Sequence, residues 1–229
     1  MTGSTGTTPR TPRPRPALRT RWGLVLVLLP LVATVAPAWA TLEGYEIDGP
    51  SNAPTLLHGD RVAAGRLAYG LWLPLTRRAA ITWAAPEIGD MVVARTPDGL
   101  DVVKRVVGLA GDTIEIRDDL VYRNGAPLAR VPVGPPHDEA PELVFEERAS
   151  DERAWLVGFF ELMGEHSPPV RVPPGHAYLL GDHRDRSNDS RNPRIGPVPY
   201  ERIRGRVHVI YWSDGGEGIR WERIGEVVR

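Results

Sequence analysis

Along most of the chain, apolar and polar positions fall in short runs broken by turn residues, and the runs have the length and composition of strands. DMVVAR (90–95), DVVKRVVGL (101–109), DTIEIR (112–117), LVYRNGAPL (120–128), HAYLLGD (176–182) and GRVHVIYW (205–212) are rich in Val, Ile, Leu and Tyr and are bounded by Gly, Asp or Pro. Such residues suit a pleated, half-buried surface. TIEI alternates strictly, and Arg123-Asn124-Gly125 before a second short run signals a hairpin. Four Gly-Asp pairs, at 59–60, 89–90, 111–112 and 181–182, read as turns entering or leaving strands. The 24 Gly and 23 Pro disfavour long helices, and no period of 20 to 50 residues repeats. The body is expected to be mainly β.

Two stretches depart from this pattern. From about 130 to 174, PVGPPHDEAPE and SPPVRVPPG flank a segment in which acids and apolar residues interleave. It reads as an insertion or subdomain hung on the β core, with a mobile loop as the other reading. At the N-terminus, residues 1–21 hold five Arg, four Pro and no acid, a basic tail without the apolar content to order itself. Residues 22–40, WGLVLVLLPLVATVAPAWA, then run without a charge. At ~1.5 Å per residue a helix of that length approaches the ~30 Å of a bilayer's hydrocarbon core.

The arginines before the apolar run and Glu43, Glu46 and Asp48 after it place the tail in the cytoplasm and the body, 41–229, on the exported side of the cell membrane. Residues 22–40 are expected to stay as a single transmembrane anchor. The alternative is a cleaved secretory signal, because Ala38-Trp39-Ala40 is an A-x-A site at the end of an apolar stretch.

The overall charge is balanced, 28 basic residues against 29 acidic, which gives no reason to expect nucleic acid as a partner. The chain lacks cysteine, and its six His are scattered without ligand spacing, so no disulfide, metal or cofactor is expected. One feature of the basic residues does change the picture. Lys104 is the only lysine in the chain, every other cationic side chain being Arg. Arginine keeps its proton in any protein setting, whereas a buried lysine can lose its proton and act as a base. Period 2 puts Lys104 on one strand face with Val102 and Val106, and burial there lowers its pKa. Chance survival of one lysine is the bland alternative.

Two further stretches carry candidate chemistry. In GPSNAPTLLHGD, Ser51 stands between Pro50 and Pro54 in a stiffened turn that can present a hydroxyl. In LLGDHRDRSNDSRNPRIGPVP (179–199), aspartates and arginines crowd around Ser187 and Ser190 directly after an apolar strand. That loop is either a set of solvated ion pairs or a rigid brace for an active site.

Together these pieces resemble one family, the bacterial type I signal peptidases. SNAPTLLHGDRV is similar to their S-M-x-P-T-L…G-D nucleophile box, VVKRVVGLAGDTIEI to their K-R-V-V-G-x-x-G-D box, and GDHRDRSNDSR to their G-D-N-R-D-N-S-x-D-S-R box. The resemblance spans about 47 to 229. It implies a signal-peptidase-like β core and a membrane-bound serine endopeptidase that removes signal peptides after A-x-A. Matched residue by residue, Ser51 is the nucleophile and Lys104 its general base. Ser187 is the hydroxyl that orients the lysine, and Asp189 and Arg191 form a supporting ion pair. The partners implied are the signal peptides of exported precursors and membrane lipid.

Three departures stand out. Asn52 replaces the usual Met, Gly49 stands where some members have an oxyanion-binding serine, and NPRIGPVP lacks the usual aromatic. Two other readings compete. One is a secreted hydrolase using His176 or His183 in a triad, and the other a membrane-tethered pseudo-peptidase that only binds.

Overall fold

The structure is a computed structural model that describes residues 41–72, 79–216 and 218–228. The tail, the apolar run 22–40 and its orientation lie outside the described residues. In chain order the strands are β1 (Leu42–Glu46), β2 (Asp60–Gly65), β3 (Gly70–Trp72), β4 (Ala79–Thr82), β5 (Met91–Arg95), β6 (Asp101–Leu109), β7 (Thr113–Arg117) and β8 (Leu120–Arg123). They continue as β9 (Ala126–Pro127), β10 (Ala129–Val133), β11 (Leu143–Ser150), β12 (Arg153–Phe159), β13 (Ser167–Arg171), β14 (His176–Leu180), β15 (Val198–Pro199) and β16 (Ile203–Ser213). The body is mainly β, as the periodicity predicts.

Seven strands form one antiparallel sheet in the order β1-β2-β16-β5-β6-β14-β15. Its middle is buried on both faces. Met91, Val93 and Val103 pack with Ile47, Leu56, Val62 and Ile210 on one side, while Val92, Ala94 and Val106 pack with Leu179 and Ile203 on the other. That double burial explains why DVVKRVVGL reads as a nearly continuous apolar run. A third cluster joins Val107, Tyr178 and Leu180 to Ile114, Trp155, Val157 and Phe159, so the smaller sheets β13-β7-β8-β9 and β10-β11-β12 share a core with the large one. The Arg123-Asn124-Gly125 hairpin forms as expected: Arg123 pairs with Ala126, and Asn124 and Gly125 both take positive φ, 56° and 82°.

The stretch 130–174 is itself built of strands. β10, β11 and β12 make a three-stranded meander, and β13 pairs with β7. The Gly-Asp pairs divide into two kinds. At 59–60, 89–90 and 111–112 the Gly has φ between 85° and 92°, and the Asp carboxylate accepts the backbone N–H three residues earlier, from Leu57, Glu87 and Leu109. These three are turns, as read. At 181–182 the φ is ordinary, and a Cβ on Gly181 would collide with the Ser51 carbonyl and Ser187 Oγ. That glycine marks a close approach of backbone to side chain.

Candidate active site

The close approach at Gly181 brings together three distant segments. Ser51 lies on the turn between β1 and β2, Lys104 lies in the middle of β6, and residues 181–191 follow β14. Ser51 Oγ is 2.8 Å from Lys104 Nζ. The amine also donates to its neighbouring carbonyl at Val103, 2.9 Å away, and among the described residues makes no hydrogen bond to a carboxylate. Only 4% of Lys104 is exposed, and directly across the sheet stands Val92. Burial brings the Lys104 amine down to about 8, even though Asp189 and Asp182 act through space to raise it.

The loop after β14 is braced as the second reading of its charges expects. Asp189 accepts from Gly181 N–H at 3.0 Å and from Arg191 Nε and Nη2 at 2.8 and 2.9 Å. Burial pushes the Asp189 carboxyl up, but the Arg191 guanidinium and the Gly181 amide outweigh it and hold it below the ordinary carboxylate range. Arg191 also reaches Glu165 at 2.6 Å and the Ser187 carbonyl at 3.2 Å. Ser187 Oγ is shielded from solvent and near enough to the Asp189 carboxyl to help hold it down. The structure therefore brings Ser187 to the site without joining it to Lys104.

Several residues that hold the site were not singled out in the sequence. Arg105, fully buried, grips Asp182 through Nε and Nη2 at 2.7 and 2.6 Å and the Gly89 carbonyl at 2.7 Å. Thr55, four residues past Ser51, donates to the same Asp182 carboxylate. This buried pair ties β6 and the Ser51 turn to the start of the loop. Arg184 and Glu147 form a second buried pair between the loop and β11. A signal for Arg105 existed in the charged Lys104-Arg105 dipeptide inside an apolar strand. Asp182 was read only as a turn residue.

Ser51 N–H has no acceptor among the described residues. Beside it, the place a Cβ would take on Gly49 is open, and the next backbone N–H, of Asn52, likewise has no acceptor among the described residues. Asn52 is buried, and its Oδ1 has no partner. Neither candidate triad histidine touches Ser51 Oγ. His183 Nδ1 faces the Pro50 carbonyl, and His176 Nδ1 faces that of Pro174.

A serine hydroxyl set against a buried amine on a β scaffold is an arrangement suited to nucleophilic chemistry. Comparison with known proteins agrees: the profile of the family described as "Signal peptidase, peptidase S26" matches residues 19–212. The signal peptidase I of Rickettsia typhi is 31% identical over 193 residues, covering 75% of this chain and 72% of that protein. That of Pseudomonas aeruginosa is 32% identical over 186 residues, covering 75% and 65%. A crystal structure of a signal peptidase I from Enterococcus faecalis aligns with 55% of this chain and 98% of its own, at 27% identity and a TM-score of 0.35. The chain belongs to the signal peptidase family, peptidase S26, and is a serine endopeptidase.

Proposed function

We propose that the protein cleaves signal peptides from exported precursors after A-x-A sites, with Ser51 as nucleophile and Lys104 as general base. The observation that carries the reading is the 2.8 Å contact between Ser51 Oγ and a buried Lys104 amine brought down to about 8. In its neutral form Lys104 keeps a hydrogen bond to the Val103 carbonyl and directs its lone pair at the serine. It removes the Oγ proton as the oxygen bonds to the scissile carbonyl carbon. The Ser51 N–H donates to the resulting oxyanion. Lys104 then returns the proton to the leaving amine as the C–N bond breaks. A water then gives its proton to Lys104 as its oxygen bonds to the acyl carbon, and Lys104 returns that proton to Ser51 Oγ as the ester C–O bond breaks.

Asp189 and Arg191 hold the loop after β14, and the Ser187 hydroxyl, beside Asp189 on that loop, is the one able to orient the amine. No step calls for a metal or cofactor. Residues 22–40 supply a single-pass anchor with residues 41–229 exported. Such an anchor raises the effective concentration of membrane-embedded precursors. This part rests on the sequence, since among the described residues no helix is long and apolar enough to cross a membrane.

The test is processing, in detergent, of a precursor carrying an A-x-A site by wild type and Ser51→Ala. Ser51→Ala is expected to bind precursor and leave it uncut, because only a hydroxyl at a turn is lost. Turnover at the wild-type rate would refute the assignment.

A further inference from the structure

The steps above make no use of His183, yet both its side chain and its backbone hold the nucleophile turn. Its backbone N–H donates to the Ser51 carbonyl at 3.2 Å. Its ring, in a residue only 8% exposed, places Nδ1 3.2 Å from the Pro50 carbonyl oxygen. On the far side Nε2 lies 3.2 Å from Asp185 Oδ1. Asp185 is itself pinned, because its Oδ2 accepts the backbone N–H groups of Phe160 and Glu161 at 2.8 and 3.1 Å. The imidazole is thus wedged between an anchored carboxylate and the carbonyl that precedes the nucleophile.

We propose that His183 is a positioning residue that aims the oxyanion-binding N–H of Ser51, acting through the peptide plane between Pro50 and Ser51. A trans peptide is planar, and its C=O and N–H point in opposite directions. Fixing the Pro50 carbonyl therefore fixes the direction of the Ser51 N–H. The carbonyl end accepts two hydrogen bonds, from Ala53 N–H at 3.0 Å and from His183 Nδ1, while the N–H end has no acceptor among the described residues. The Ala53 bond lies within the turn and moves with it. The His183 bond ties the plane to the loop behind Asp182, which Arg105 holds to β6. Hydrogen bonds to a carbonyl also polarise the amide and strengthen its N–H as a donor. With the backbone bond to Ser51, residue 183 holds the peptide planes on both sides of the nucleophile.

The ring nitrogens face one acceptor each. Nδ1 alone is in hydrogen-bonding position, since Nε2 and Asp185 Oδ1 make no hydrogen bond among the described residues, so the ring with its proton on Nδ1 serves the Pro50 carbonyl. In the family motif quoted above this position is Asn, whose amide Nδ2 reaches about as far as His Nδ1 and also carries a proton to donate.

This inference rests on Ser51 being the nucleophile, so Ser51→Ala is assayed beside His183→Leu, His183→Asn and His183→Gln, with thermal melts of all four. Losing one oxyanion donor outright costs ~10²–10³-fold in kcat. A donor present but badly aimed should cost less, about 10- to 100-fold in His183→Leu. KM and the pH midpoint set by Lys104 should stay at wild-type values. His183→Asn should recover most of that loss. His183→Gln, which places its donor where Nε2 stands, should not. The Asn and Gln pair carries the test if the Leu variant does not fold. A His183→Leu kcat within twofold of wild type, equal rates for Asn and Gln, or a loss confined to KM would overturn the proposal. An active Ser51→Ala would instead overturn the nucleophile assignment beneath it.

Discussion

Lys104 and Arg105 are consecutive residues of β6, both cationic and both buried, at 4% and 0% exposure, and their surroundings are opposites. Arg105 meets a bidentate carboxylate, a backbone carbonyl and a threonine hydroxyl. Lys104 meets a serine hydroxyl and its neighbour's carbonyl. Burial disfavours charge at both positions: the guanidinium, which keeps its proton in any setting, is compensated by a hydrogen-bonded carboxylate, whereas the amine has none and its pKa falls. The two are also linked, since Asp182 raises the Lys104 pKa through space while spending its hydrogen bonds on Arg105 and Thr55. One strand thus carries a permanent cation that holds the site together and, one position away, an amine able to give up its proton.

The most direct way to break this comparison is to make the two positions alike. Lys104→Arg keeps the charge and removes the proposed base, and is expected to cost ~10⁴-fold or more in kcat/KM, measured in single-turnover cleavage of a precursor. In the wild type the base must be deprotonated, so activity should rise with pH through about 8. A Lys104→Arg variant within tenfold of wild type, or a wild-type profile flat from pH 6 to 10, would show that Lys104 is not the base.

The opposite change bears on stability. Arg105→Leu leaves the Asp182 carboxylate buried without its guanidinium. Removing one partner of such a pair costs about 3–5 kcal/mol, read from urea unfolding at pH 7. Arg105→Leu combined with Asp182→Leu should recover much of that, because no buried charge is then left uncompensated. If Arg105→Leu lost less than about 1 kcal/mol, the contrast between the two cations would be one of geometry without energetic consequence.

The parts of this arrangement that could be read in the sequence are those with a local signature. Six apolar runs became β5, β6, β7, β8, β14 and β16, because strand patterning and the turn residues around it act over a few neighbours. Asn124-Gly125 formed its hairpin for the same reason. Ser51 and Lys104 were legible through motif resemblance and a one-residue anomaly in composition. The brace of Arg105 on Asp182 was not, since it joins positions 77 residues apart and Gly181-Asp182 looks in sequence like the three Gly-Asp turns. The strands of 129–171 were obscured by their prolines and acids. Val131, Val133 and Leu143 are exposed there, so β10 and the start of β11 lack the regular apolar alternation of a strand facing a core, whereas β12 turns Trp155, Val157 and Phe159 inward.

The smallest effect expected is also the one that tests the cost of keeping an unpaired amine inside a sheet. Lys104 has a folded pKa of about 8 against ~10.4 for a free lysine side chain, so between these values the unfolded chain binds more protons than the folded one. Wild-type stability should therefore rise with pH across that interval. Below pH 8 the full penalty of burying the ammonium is present, about 3 kcal/mol from the size of the shift. Lys104→Met removes the charge and keeps an unbranched side chain of similar length, at the loss of two hydrogen bonds worth ~1 kcal/mol each. The variant should thus be inactive yet about 1 kcal/mol more stable than wild type at pH 7, with the advantage shrinking as pH rises from 8 towards 10.5. Urea melts of both proteins at pH 7 and pH 10 decide it. A Lys104→Met protein less stable than wild type at pH 7, or one whose difference does not change with pH, would mean that the amine is stabilised in the fold much as Arg105 is.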